Sequence, residues 1–502
     1  MKLGRNLLAG ITNSIWSAAI GLAVVPFYLK HLGIEAYGLI GFFVTLQAVL
    51  SLFDMGLAPT INREVARCSS KGEIQEAGRL LHSLAFVYWG MAALIAITFI
   101  GISPLIAEYW LQSKQLSSQT VAHAVMLMGL VVACRWPIGL YQGALIGAQR
   151  LALSSVINMV MVTIGSLGAV IILAYVSPTI EAFFLWQGGI GIVYALIIRN
   201  AAWNVLGRQG AGHFEIEELK KIWKFSVGMT GIAIAGAVLT QLDKVLLSKM
   251  LSLDDFGRYA LAGVVASALY VLITPTFNVI FPRLSLLAAE KETIKMVAFY
   301  RAGSRFFSSV LVPFALTTAL LSEDIVLLWT GNHTIASSLA PIVALLLVGT
   351  ALNGIMHFPY ALQLAFGITR ISLITTTVLI VIFAPLIVFL TQRYGAVGGG
   401  MAWLILNVAY LFFGTWLTHR YLLKGMGLSW LVRDIGGPLC ISSIIILGGH
   451  LLFSPVESIF INVLIGYAMA LIAFLACMLI FMQSETKRVY EYVVGEFRAL
   501  RT

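Results

Sequence analysis

The sequence predicts an all-α polytopic membrane protein of about fourteen transmembrane helices, built as two parallel six-helix lobes plus two C-terminal helices. Three observations lead there. Of 502 residues, 60% are hydrophobic and 11% charged, with a mean hydropathy of +0.94. A water-soluble chain holds about 45–50% apolar and about 25% charged residues, so a compact soluble fold could not hide this much apolar surface. The apolar residues also fall in continuous runs near the roughly 20 residues that a bilayer-crossing helix needs. Finally, short motifs recur at an offset of about 220 residues.

In chain order the runs cover residues 6–28, 36–61, 80–107, 121–148, 151–176 and 182–203. They continue at 225–247, 256–281, 303–321, 339–366, 371–391 and 397–417, and end with 435–453 and 459–482. None shows the short alternating pattern of a barrel strand, and helices satisfy their own backbone groups in lipid. The start, Met1 to Asn6, is short and basic, but the apolar run after it reaches Tyr28 and no small-residue cleavage site follows. That is too long for the 7–15-residue apolar region of a signal peptide, so an uncleaved first span is expected.

Charge placement tests the count. With the N-terminus inside, 25 of the 32 Lys and Arg fall in cytoplasmic connections. Four fall outside: Lys30, Lys114, Lys249 and Arg393. The remaining three, Arg135, Lys244 and Arg258, lie within or at the edge of spans. A wrong count would scramble this segregation, so the split supports an even number of spans with both termini cytoplasmic. The net charge of +10 is thereby assigned to topology rather than to nucleic acid. The inside loops 62–79, 204–224 and 282–302 carry mixed charge and could form surface helices. Cys68, Cys134, Cys440 and Cys477 show neither a disulfide framework nor metal-ligand spacing.

The stretch from Lys30 to Gly38 resembles that from Lys249 to Gly257, and Gly147 to Leu153 resembles Gly367 to Leu373. A period holding six spans sets the seventh parallel to the first. The expected division is an N-terminal lobe 1–213, a C-terminal lobe 214–424, and two extra helices with a cytoplasmic tail, 425–502. Two pseudo-symmetric lobes around a cavity suit alternating access.

No phosphate-binding loop, dinucleotide fingerprint or zinc-protease motif is present, and no loop is large enough to house an ATPase. Transport without a cofactor, driven by an ion gradient or the membrane potential, is the class left. Ionisable side chains inside a span cost several kcal/mol and are candidates by default. These are Asp54 in span two, Arg135 in span four, Asp243 and Lys244 in span seven, and Arg258 at the start of span eight, with His357 a weaker case. Arg135 sits midway through its span, before Trp136 and Pro137, and guanidinium binds phosphate or carboxylate bidentately. Arg135, Lys244 and Arg258 are therefore the candidate substrate contacts, and Asp54 and Asp243 the candidates for ion coupling or gating. The bland alternatives are a snorkelling Lys244, an interfacial anchor at Arg258, and structural partners for the two aspartates. Gly143 and Gly147 form one Gly-x-x-x-Gly, a packing feature.

Certain residues resemble a known family. Pro26 to Leu29, Leu32-Gly33, and Ala36-Tyr37-Gly38 are similar to the start of the polysaccharide transport family. The pattern continues at Asp54-Met55-Gly56-Leu57, Asn62-Arg63, Gln142-Gly143, Gly147 with Arg150, Asp243-Lys244 and Phe256 to Ala260. That family contains the O-antigen and other lipid-linked oligosaccharide flippases, within a superfamily that includes lipid II flippases and multidrug and toxin extrusion transporters. The resemblance implies two lobes facing each other in a V, around a cationic cavity that takes the pyrophosphate and sugars of an undecaprenyl-linked oligosaccharide. It implies a bacterial inner-membrane location, membrane lipid as surroundings, and a polysaccharide polymerase as a candidate partner. Lipid II flippases carry several cavity arginines near the chain start, where this sequence has only Arg5. The runner-up is a proton- or sodium-coupled multidrug exporter, disfavoured because cationic drugs suit a carboxylate-dominated cavity. A membrane polymerase or ligase would typically need a large outside catalytic loop, and none is present.

Overall fold

The structure, a computed structural model, describes residues 2–54, 56–71, 73–207, 238, 240–453 and 458–481. Helices carry nearly all of the described backbone, as a solvent without hydrogen-bond partners demands. Among the described residues, ten helices are long and apolar enough to cross a bilayer. The number is eleven if Thr293–Leu320 and Ser322–Thr330, bent by 71°, form one span. Two of these helices hold two expected spans each. Helix α1 (Lys2–Leu50) turns at Gly33, where φ is 80° and ψ 172°. Thr369–Tyr421 turns at Gly395, where φ is 58° and ψ −137°. Side-chain-bearing residues rarely adopt either conformation, so glycine lets consecutive spans reverse without a loop. Most of the expected span at 225–247 lies outside the described residues. The architecture agrees with about fourteen spans.

Span two is shorter than its apolar run suggests. A 3-10 turn at Ser51–Asp54 ends it, Gly56 takes a left-handed conformation, and helix α2 (Leu57–Lys71) starts afresh. Asp54 accepts from the Ala58 backbone N–H at 3.1 Å and caps the new helix. Helix α2 is the surface helix expected near residue 62. The inside segment 282–302 is mostly helical too, formed by the extending ends of Tyr270–Ala289 and Thr293–Leu320 rather than by a separate surface helix.

The chain divides into two compact units, Met1–Ala260 and Leu261–Thr502. In the first, helix α4 (Ser118–Gly147) packs on α3 (Ile74–Tyr109) and α6 (Ile180–Leu206), while α1 packs on α5 (Leu151–Tyr175). Gly143 and Gly147 face α2: a Cβ at Gly143 would lie 2.6 Å from the Ala58 carbonyl oxygen. The two copies of the repeated Lys30 motif meet in this unit as well. A Cβ at Gly257 would lie 2.5 Å from the Ile34 carbonyl oxygen, and one at Gly38 would overlap the Leu253 carbonyl. Two backbones pass here at a distance only glycine permits.

In the second unit Thr293–Leu320 packs against His333–Ile355 and the C-terminal helices Gly437–Phe453 and Ile459–Phe481. A fully buried Asp434, in the π-helical turn Trp430–Gly436, ties Thr293–Leu320 to the C-terminal helices. It accepts from Arg301 Nε at 2.7 Å and Arg305 Nη2 at 2.7 Å, while Arg305 Nη1 donates to the Phe481 carbonyl at 2.9 Å.

A similar turn occurs at the second repeated motif in each unit, two positions earlier in the second copy. Gln149 and Gly367 both have positive φ, and the next residue donates five back, Arg150 to Leu145 and Ile368 to Gln363.

Candidate functional site

The first unit holds a cavity of about 620 Å³ between the second half of α1, α4, α5 and α6. Within the 300–1,000 Å³ range of small-molecule sites, it is large enough for a polar headgroup. Two sequence candidates, Asp54 and Arg135, line it.

Arg135 is placed by α6. Gly191 leaves room for the arginine stem, since a Cβ there would stand 3.1 Å from Arg135 Cγ. One turn earlier, Gln187 accepts from Arg135 Nη2 at 2.5 Å. The guanidinium carbon lies 5.9 Å from the centre of the Phe43 ring on α1, within cation–π range. Pro137 removes one backbone hydrogen bond from the turn carrying Arg135. Among the described residues Arg135 forms no ion pair. A guanidinium has five donors and Gln187 takes one, leaving capacity for an anion in the cavity.

A belt of neutral polar side chains runs along the wall, among apolar residues such as Val132, Met161 and Phe183. Gln142 Nε2 donates to the Tyr194 hydroxyl at 2.7 Å, and that hydroxyl donates to Asn158 Oδ1 at 2.9 Å. Asn158 Nδ2 donates to Asn13 Oδ1 at 2.8 Å, carrying the chain from α4 through α6 and α5 to α1. Such donors and acceptors match sugar hydroxyls. Sequence reasoning missed Gln142, Asn158, Gln187 and Tyr194 as site residues because it searched only for acidic and basic side chains. The available signal was an amide side chain inside an apolar run.

Asp54 reaches the cavity with both oxygens engaged, by the Ala58 N–H and by the Tyr88 hydroxyl. The other three candidates do not line this cavity. Asp243 is buried and accepts from the Tyr259 hydroxyl at 2.6 Å. Lys244 donates to the Thr240 carbonyl at 3.1 Å and lies 3.5 Å from Asp243. Arg258 pairs with Asp254, one turn before it, at 2.8 Å.

A bundle of many spans around an intramembrane cavity, with an arginine free of any ion pair among the described residues and a belt of amide and hydroxyl groups in its wall, is the architecture of a multi-pass membrane transporter. The chain belongs to the polysaccharide biosynthesis protein family, whose model matches residues 3–288. It is 21% identical over 403 residues to a Shigella flexneri protein named as an O-antigen transporter, covering 79% of this chain and 94% of that one. It is 21% identical over 291 residues to a succinoglycan biosynthesis transport protein of Rhizobium meliloti, covering 57% of this chain and 55% of the relative. Among solved structures, a lipid II flippase in an inward closed conformation superposes with a TM-score of 0.72 at 14% identity, over 95% of this chain and 98% of that one. An inward-facing multidrug resistance transporter of the MOP superfamily gives 0.65 at 15% identity, over 82% and 98%. These likenesses show that the chain shares the fold of those transporters.

Proposed function

We propose that this chain is a flippase that moves an undecaprenyl-pyrophosphate-linked oligosaccharide, an O-antigen or related repeat unit, from the cytoplasmic to the periplasmic leaflet of a bacterial inner membrane. The observation that carries the reading is Arg135: a cation inside the membrane, in a cavity wall, held by an amide and a ring, while the Asp54 carboxylate on the same wall is engaged by the Ala58 N–H and the Tyr88 hydroxyl instead. An uncompensated guanidinium at that depth is costly unless a ligand supplies the negative charge, and a pyrophosphate does so bidentately. The amide and hydroxyl wall beyond it receives the sugars, and the lipid tail stays in the bilayer. The family membership and the transporters among the relatives support the same class.

In this reading lobes 1–213 and 214–424 alternate access around the substrate, 425–502 forms an accessory pair and tail, and both termini are cytoplasmic. Lys244 and Arg258 contribute less to the headgroup, because each already has an acidic neighbour. Asp54 and Asp243 serve ion coupling or gating, each through a carboxylate held by a tyrosine hydroxyl. The chain carries out no covalent chemistry. Arg135→Ala should abolish surface polysaccharide while the protein stays at wild-type level in the membrane, and Arg135→Lys should retain part of it. Normal polysaccharide in the alanine variant would overturn the assignment.

A further inference from the structure

The second unit has a groove of about 800 Å³ that the flippase reading does not use. It lies where the helix ending at Tyr421 passes into the turn leading to Trp430. Its walls combine two chemistries. Phe412, Trp416 and Leu428 are 59%, 51% and 75% exposed, an open apolar face. Arg420 and Lys424 line the same groove, and among the described residues neither forms an ion pair. The Arg420 guanidinium lies over the Trp416 ring at 5.3 Å. The buried His419 forms the back wall, with Nδ1 at 2.8 Å from the Thr415 carbonyl oxygen and Nε2 at 3.3 Å from the Tyr300 hydroxyl. Gly427 keeps the floor low: a Cβ there would already stand 3.3 Å from His419 Cβ.

Two cations at the end of a helix have an ordinary role in offsetting its dipole. That role asks for no concave apolar surface beside them. Aromatic rings at a helix end, a tryptophan under a guanidinium and a basic pocket between membrane helices together match a lipid headgroup at the bilayer interface. We propose that this groove is a binding site for an anionic phospholipid of the inner leaflet, with its phosphodiester held by Arg420 and Lys424 and its acyl chains lying along Phe412, Trp416 and Leu428. A zwitterionic lipid offers the same phosphate, but its choline or ethanolamine cation opposes the two basic side chains. The leaflet rests on the cytoplasmic placement proposed above; the lipid class rests on the groove itself.

The test uses the full-length purified protein in detergent, titrated separately with dioleoyl phosphatidylglycerol, dioleoyl phosphatidylcholine and inorganic phosphate, with bound adducts counted by native mass spectrometry. The wild type should retain phosphatidylglycerol in preference to phosphatidylcholine, and phosphate alone should not compete. Each basic residue near an anionic lipid is worth about fivefold, so Arg420→Gln with Lys424→Gln should weaken retention about thirtyfold. Arg420→Lys should keep most of it, and Lys291→Gln with Lys295→Gln, a basic pair elsewhere in the unit, should change nothing. Unaltered melting temperatures would exclude misfolding of these surface variants. Equal retention of the two lipids, or full retention by the double glutamine variant, would overturn the proposal. Displacement by phosphate alone would do the same. The readout is lipid binding rather than surface polysaccharide, so its failure and the failure of the flippase reading are separable.

Discussion

Two groups of arginines show opposite ways of keeping a guanidinium in a membrane protein. In the first unit Arg135 faces a cavity, held by an amide oxygen and an aromatic ring. In the second, Arg301 and Arg305 close on the fully buried Asp434, and the Phe481 carbonyl, near a helix C-terminus, adds partial negative charge. In the second arrangement both guanidinium groups are held on one shared carboxylate, which offsets half of their charge and fixes their donors. The first is complete only when an anion arrives. The position of an arginine in a span thus says little about its role, whereas the identity of its partner says much.

The largest effect should come from removing the partner that completes the second group. Asp434→Ala leaves two guanidinium groups without their carboxylate, and loss of one member of a buried ion pair typically costs about 3–5 kcal/mol. A sharply lower melting temperature and less protein in the membrane are expected. Arg135→Met, by contrast, should change the melting temperature little, because removal of an unpaired cation offsets the lost Gln187 hydrogen bond and ring contact. If Asp434→Ala melted like the wild type, the two groups would not differ as argued. Replacing all three residues, as Arg301→Met, Arg305→Met and Asp434→Leu, should recover most of the lost stability.

The sequence marks one group far better than the other. Arg135 interrupts a long apolar run, so its cost in lipid is visible without a structure. Arg301 and Arg305, at the inner edge of the run 303–321, read as cytoplasmic charges that set topology, and Asp434 sits beside Arg433 just before an apolar run. They meet across 133 and 129 positions of chain, a separation that no local pattern encodes. The spans were legible for the same reason as Arg135, because hydropathy is a local property, and the Gly143 and Gly147 spacing foretold a close contact without naming α2 as its partner. The break at Gly56 was hidden because apolar residues run on either side of it. Gln187 and Asn158 escaped notice because neutral amides are tolerated in spans and carry meaning only through the side chains they reach.

A mid-sized effect should convert the first group into the second. Gln187→Leu removes a hydrogen bond to a charged group, worth about 1.5–3 kcal/mol, and frees the guanidinium from its position. Both stability and surface polysaccharide should fall. Gln187→Glu places a carboxylate where the amide oxygen stood and supplies Arg135 with an ion pair like that of Arg305. Melting temperature should then hold or rise while surface polysaccharide is lost, because the cation has been neutralised from within. Retained polysaccharide in the glutamate variant would show that the open charge of Arg135 is not what the substrate needs.

The smallest effect concerns the neutral wall. Tyr194→Phe deletes the hydroxyl that links Gln142 to Asn158, and hydrogen bonds between membrane helices average about 0.6 kcal/mol. Asn158 still bonds Asn13, and the released atoms of Gln142 and Asn158 border a cavity where water can reach them, so no buried group is stranded. Melting should shift little. If the wall reads sugar hydroxyls, the loss should instead appear in transport, as reduced polysaccharide at low substrate supply that recovers when the lipid-linked precursor is overproduced. If the belt only braces the bundle, Tyr194→Phe and Asn158→Ala should lower stability in proportion to transport, and raising the precursor would rescue neither. Arg135→Ala should resist that rescue as well, since more substrate cannot replace the charge that holds it.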